Sequence, residues 1–345
     1  MKWTRFQRFA VAAFIAVEAL LFVGAAVRAS GSGLGCPDWP FCYGCWFPPT
    51  KAQDIDFKKL DLEKFRKKAA QHGRDPATIT EETLRAEFDP VATWIEYLNR
   101  LTSLPVGLAT VLLLGVSFGQ LKQGRVAVFL AGVGAFALVL INAWLGARVV
   151  LSGLKPGIIT LHMALTILLQ CVLVFAAWRG TAQPWRLPLP ADEVPGLRWL
   201  GWLLFFLIVG EGIMGSQVRE LTDELARGHV GELRAQWVDE LEHSWVYLLH
   251  RSFSWVILAC GGYFTLRVRR ALGGLGLLEW TVMGIILAQM VLGLVLAQIG
   301  IVAVVQVLHI GLSSLLVSAL FLWLLGCSAP SRATAQGGGI PLPLR

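Results

Sequence analysis

WIEYLNR (Trp94–Arg100) recurs as WVYLLHR (Trp245–Arg251), a shift of 151 residues that sets Trp on Trp, Arg on Arg and Asn99 opposite His250. Working outward, NAWLG (Asn142–Gly146) and LHMALTILL (Leu161–Leu169) return as QMVLG (Gln289–Gly293) and LHIGLSSLL (Leu308–Leu316). At this shift of 147, Gly146 falls on Gly293 and His162 on His309. A looser pair, GAAVR (Gly24–Arg28) and GSQVR (Gly215–Arg219), extends the match towards the N-terminus of each copy. Self-similarity at a fixed shift is the mark of a duplicated structural unit.

The setting of these motifs identifies the solvent. The chain has 345 residues, of which 55% are hydrophobic and 15% charged, where soluble proteins carry about 25% charged residues. Eight apolar runs are long enough to cross a bilayer, near 9–27, 94–119, 126–147, 157–178, 198–218, 244–266, 276–298 and 301–326, since a span takes about 20 residues. The last two form a tight hairpin. The fold class expected is an all-α integral membrane protein, with eight transmembrane helices as two tandem four-helix bundles. The N-terminal unit is 1–186, including an external loop at 28–93, and the C-terminal unit is 187–345. Four spans per copy is an even number, so both copies enter from one side, unlike the inverted repeats of many transporters.

Lys and Arg of the short loops gather on one side: Lys2, Arg5, Arg8, Lys122, Arg125, Arg179, Arg186, Arg198, Arg267, Arg269 and Arg270. That side is read as cytoplasmic, with both termini there. The same scatter in short clusters excludes a nucleic-acid surface, despite the net charge of +7. The loop at 28–93 balances ten basic against ten acidic residues, and 220–243 is acidic. The insert at 51–89 is charged and helix-prone, with one or two short surface helices expected and no chemistry. The first run contains Glu18 and lacks a clean cleavage site, so it reads as a span and not a signal peptide. No Arg- and Ser-rich transit segment precedes it, which favours a bacterial cytoplasmic membrane.

Asn99, His162, His250 and His309 each lie five to seven residues inside a span on the external side, roughly 7–11 Å deep. Ionisable groups at such depth are costly and usually functional. Two histidines at one depth on facing helices can hold a haem iron from both sides. His250 and His309 make that pair, where a single histidine would read as a hydrogen-bonded packing residue. In the first copy His162 is retained, but its partner is Asn99, a poor iron ligand. Glu96 lies three residues before Asn99 on the same face, where the second copy has Tyr247. It is either a proton carrier or water-orienting base, or a carboxylate paired with Arg100 or Arg148. Arg28, Arg100, Arg148, Lys155, Arg219 and Arg251 stand near external helix ends, where Arg suits haem propionates or serves as an interfacial anchor.

The loop GCPDWPFCYGC holds Cys36, Cys42 and Cys45. Cys36 and Cys42 could close a small structural disulfide, leaving Cys45 over. Cys42 and Cys45 instead form a C-x-x-C that could be redox-active. Cys171, Cys260 and Cys327 read as small core residues. His72, His229 and His243 read as solvated.

These segments together resemble the heme A synthase family. VRASGSGLGCPDWPFCYGCWFPP (27–49) resembles its first external loop, and EYLNR (96–100) its E-Y-x-H-R. LSGLKPGIITLH (151–162) resembles the approach to its fourth-helix histidine, and LHRSFSW (249–255) its C-terminal ligand motif. The resemblance covers most of the chain apart from 51–89. It implies an enzyme that oxidises the C8 methyl of haem O to a formyl group, giving haem A for cytochrome oxidase. It implies a b-type haem (heme b) cofactor between His250 and His309, with Arg219 and Arg251 beside it. It implies a substrate haem near His162, Asn99, Arg100 and Arg148, with Glu96 in the catalytic position and Cys36 and Cys42 as the family cysteines. Asn99 departs from the family histidine. Expected partners are membrane lipid, haem O, the haem O synthase that supplies it, an electron donor the sequence does not name, and a second copy of the chain. A b-type cytochrome exchanging electrons with quinone, and a non-catalytic haem-binding assembly factor, are the rival readings.

Overall fold

The computed structural model describes residues 3–36, 38–71, 75–152, 154–229, 232–300 and 302–327. His72 and the C-terminal tail, expected on the cytoplasmic side, lie outside them. Among the described residues the regular structure is helical, with one isolated antiparallel bridge between Cys42 and Cys45.

The helices are α1 (Arg5–Ala29), α2 (Leu62–Gln71), α3 (Glu81–Ala86), α4 (Pro90–Lys122), α5 (Val126–Leu151), α6 (Pro156–Arg179), α7 (Val194–Gly228), α8 (Arg234–Glu242), α9 (Trp245–Leu272), α10 (Leu277–Gln298) and α11 (Ala303–Gly326). Seven of them are long and apolar enough to cross a membrane: α1, α4, α5, α6, α7, α10 and α11. Helix α9 has 28 residues but less apolar character, because Arg251, Arg267, Arg269 and Arg270 lie within it. The expected short helices of the insert are α2 and α3. The segment after the fifth apolar run is a correction: α7 continues through it to Gly228 and α8 follows, so the acidic stretch is largely helical. His229 caps α7 and approaches Glu240 at 3.2 Å instead of standing free in a loop.

Local sequence explains the starts. Asp89 accepts from the amides of Val91 and Ala92, with Pro90 opening α4, the arrangement expected of an N-cap followed by proline. Thr4 and Gln7 form a reciprocal capping box on α1.

Helices α1 and α5 each pack against both α4 and α6, and α7 and α10 each pack against both α9 and α11. Two separate apolar clusters follow this grouping. Phe6, Ala10, Val106, Leu113, Val128, Leu169 and Leu173 belong to one. Leu197, Leu204, Ile257, Phe264, Val282, Leu320 and Trp323 belong to the other. Both clusters occupy the helix halves nearer the short basic turns, so the opposite halves are left for other residues. In lipid the pull between helices comes from close packing and hydrogen bonds. Gly311 illustrates it: a methyl group there would overlap the Phe22 ring, so α11 meets α1 at van der Waals distance across the two groups. Beside this contact Glu18, buried, accepts from Gln170 Nε2 (2.6 Å), Ser314 Oγ (2.6 Å) and Ser318 Oγ (3.4 Å).

Candidate functional site

The halves opposite these clusters carry the four positions singled out by the repeat. Asn99 and His162 lie on α4 and α6, each flanked by α1 and α5; His250 and His309 lie on α9 and α11, each flanked by α7 and α10. Every one of the four faces a glycine of a flanking helix. A methyl group on Gly24 would stand 3.9 Å from Asn99 Oδ1, on Gly146 3.7 Å from His162 Cε1, on Gly215 3.2 Å from His250 Cε1, and on Gly293 3.7 Å from His309 Cε1. The glycines let the side chains lie flat against their neighbours' backbones.

Asn99 Oδ1 and the Nδ1 atoms of His162, His250 and His309 are buried and lack a hydrogen-bond partner. Orphaned buried polar atoms cost about 1–3 kcal/mol each and are rare in native structures unless a ligand or a functional constraint accounts for them. The four recur at repeat-related positions, and none of these side chains makes a hydrogen bond among the described residues, so both nitrogens of each ring are uncommitted and the donor set fits a haem: imidazoles from two helices in one copy, an imidazole and an amide in the other.

Glu96 is only 3% exposed. One oxygen accepts from Arg100 Nη2 at 2.6 Å and the other from the Cys36 amide at 2.7 Å. Of the two roles left open by the sequence, pairing with Arg100 is therefore present. The same guanidinium donates to the carbonyls of Cys36 (2.8 Å), Asp38 (2.9 Å) and Phe41 (2.8 Å). Asp38 in turn accepts from the amides of Tyr43 and Gly44, at 2.7 Å each. Cys36 and Cys42 are disulfide-bonded, and Cys45 is free; the C-x-x-C alternative is not the pairing found. Gly35 is needed where the loop crosses α4, since a methyl group there would overlap the Ala92 carbonyl. Burial beside Phe88 pushes the Tyr43 phenol up to about 12, with Asp38 adding to the shift. The loop is thus bolted onto the outer turns of α4, directly beside Asn99.

The remaining arginines divide. Arg28 and Arg219 converge on Asp223, at 2.8 and 2.9 Å, joining the outer ends of α1 and α7. Arg148 and Arg251 are exposed, with no side-chain ion pair among the described residues. Sequence reasoning missed Asp223 as the shared acceptor and also missed Glu211, whose Oε1 stands 3.2 Å from His250 Nδ1. The signal for Glu211 was legible, a carboxylate inside IVGEGIM (208–214).

Residues 7–321 match the family model COX15-CtaA, described as cytochrome oxidase assembly protein. Curated relatives agree. The chain is 23% identical over 264 residues to heme A synthase of Shewanella oneidensis, covering 74% of this chain and 71% of that protein. It is 26% identical over 253 residues to heme A synthase of Shouchella clausii, covering 71% and 70%. It is 25% identical over 211 residues to heme A synthase of Nitrosomonas eutropha, covering 58% and 56%. With a match running through both repeat copies and spanning positions 99, 162, 250 and 309, the chain belongs to the COX15-CtaA family of cytochrome oxidase assembly proteins.

Proposed function

We propose that the chain is a heme A synthase, a membrane oxidoreductase that converts the C8 methyl of haem O to the formyl group of haem A. Two successive hydroxylations of the methyl, each a two-electron oxidation that takes one oxygen atom from dioxygen while the electron donor reduces the other to water, give a geminal diol, and loss of one water leaves the aldehyde. The observation that carries the reading is the set of four buried, unpartnered polar atoms, each backed by a glycine. The family match and three relatives named heme A synthase support it.

In this reading α9 is the eighth span, and the spans form two four-helix bundles, 1–186 and 187–345, in a bacterial cytoplasmic membrane with both termini cytoplasmic. A b-type haem between His250 and His309 supplies one-electron transfer when bound. Haem O would be the substrate of the first bundle, with His162 as the residue that would hold it. Asn99, an amide, is a poor iron ligand and would leave His162 as the stronger donor of this copy. Glu96, one turn from Asn99, handles the proton, and Arg100 holds its carboxylate in place. Arg148 and Arg251 are uncommitted and suit propionates. Arg100 and Arg219 are already engaged by the loop and by Asp223, and contribute charge near the two sites. The partners are lipid, the haem O synthase, an electron donor and a second copy of the chain.

The test is expression with a haem O source, followed by haem extraction and chromatography, alongside Glu96→Gln. Haem A or its hydroxylated precursor is expected from the parent, with at least a tenfold loss in the variant. No oxidised product from the parent overturns the synthase reading. Equal product from both overturns only the role of Glu96.

A further inference from the structure

Helix α7 presents Glu211 and Gly215 four residues apart, on one face, and both meet the same imidazole. Gly215 lies under the ring, a methyl group there coming within 3.2 Å of Cε1, while Glu211 Oε1 stands 3.2 Å from Nδ1. That approach lies off the hydrogen-bond direction, so Nδ1 and Glu211 Oε2 both remain buried without a bonded partner. Each is what the other lacks: an N–H donor and a carboxylate acceptor. A carboxylate inside a membrane helix is expensive, and packing does not call for one here, since Ile208 and the neighbouring apolar residues already fill the core on this helix.

The first copy provides the contrast. The shift of 191 that sets Gly24 on Gly215 sets Leu20 opposite Glu211. Beside Gly24, which faces Asn99, the flanking helix offers leucine one turn away; beside Gly215, which faces His250, it offers a carboxylate. His309 and His162 have no such neighbour within ion-pair distance among the described residues.

We propose that Glu211 is a positioning residue for His250: it accepts the Nδ1–H, fixes the tautomer and ring plane, and leaves Nε2 to the iron. The assignment rests on the haem reading above. A carboxylate behind an axial imidazole raises the basicity of the ligand and favours the oxidised iron. It makes the two axial ligands of the C-terminal haem unequal, His250 strengthened and His309 not.

The experiment uses the full chain purified with its haem, comparing the parent with Glu211→Gln and Glu211→Leu, and His250→Ala as reference. Midpoint potential and the low-spin electron paramagnetic resonance spectrum are read, neither of which depends on turnover. Glu211→Leu is expected to raise the reduced-to-oxidised ratio at a fixed ambient potential by about tenfold, about 59 mV for a one-electron couple, and to shift the low-spin g values. Glu211→Gln keeps an acceptor without the charge, so its ratio should rise while its g values stay nearer the parent's. If Glu211→Leu yields no folded protein, the ratio in Glu211→Gln decides. Haem retained with a ratio within twofold of the parent in both variants overturns the role of Glu211. A parent without haem, or an unchanged low-spin spectrum in His250→Ala, overturns the haem reading instead and the assignment with it.

Discussion

Arg100 donates to Glu96 at 2.6 Å across one turn of α4, and the pair is nearly sealed from solvent, with 16% and 3% of the two side chains exposed. Three loop carbonyls share the same guanidinium. Removing one partner of a buried pair costs about 3–5 kcal/mol, so Arg100→Leu should melt well below the parent in detergent and become sensitive to protease within 36–47. Arg100→Lys should recover little, because an ammonium lacks the planar fork that reaches several acceptors. Melting equal to the parent in Arg100→Leu would show that the loop is held by other contacts.

The Cys36–Cys42 bond leaves Cys45 as the free thiol of the loop between α1 and α4. Alkylation without reductant should label Cys45 and spare its two neighbours, read by mass spectrometry. Closing so short a loop stabilises by about 2–3 kcal/mol, so Cys36→Ser should fold with a lowered melting temperature. Label on Cys36 with Cys45 protected would instead support the C-x-x-C pairing.

Glycine substitutions should separate by what a methyl group meets. Gly35→Ala drives it into the backbone carbonyl of Ala92, and Gly311→Ala into the Phe22 ring, while Gly146→Ala finds His162 at an ordinary 3.7 Å. Overpacking costs about 1–3 kcal/mol. The expected order of thermal stability is Gly146→Ala above Gly311→Ala above Gly35→Ala. Phe22→Leu should restore Gly311→Ala but not Gly35→Ala.

Glu18 gathers Gln170, Ser314 and Ser318 where α1 meets α6 and α11. Hydrogen bonds between membrane helices contribute on the order of 1–2 kcal/mol. Glu18→Leu strands the Gln170 and Ser318 donors and leaves Ser314 only its own-helix acceptor, the Gly311 carbonyl, and should lower the melting temperature by several degrees, whereas Glu18→Gln should keep most of it. Equal melting in the Leu variant would mean that the two groups are joined by other contacts, among them Phe22 against Gly311 and the Arg28–Asp223 pair.

Much of this arrangement was legible in the sequence because a duplication is read twice. Asn99, His162, His250 and His309 stood out by repeat register, and the glycines that face them stood in the same motifs. Helix α9 corresponds to the apolar run at 244–266, although its arginines keep it below the apolarity of the other seven. What stayed hidden depended on contacts distant in the chain. Nothing local shows that Arg28 and Arg219 meet on Asp223, 195 residues from Arg28, or that Arg100 reaches back 64 residues to Cys36. The acidic segment after the fifth run looked like a loop because charge density masks helix propensity when no apolar stripe marks the face.

The asymmetry between the two copies is tested most directly by haem content and low-spin visible spectrum of the purified chain. The parent, His250→Ala, His309→Ala and Asn99→Ala would be compared at equal protein. The expected result is a low-spin haem in the parent and in Asn99→Ala, lost from each histidine variant. Retention of the parent's low-spin spectrum in both His250→Ala and His309→Ala would contradict a haem held between α9 and α11.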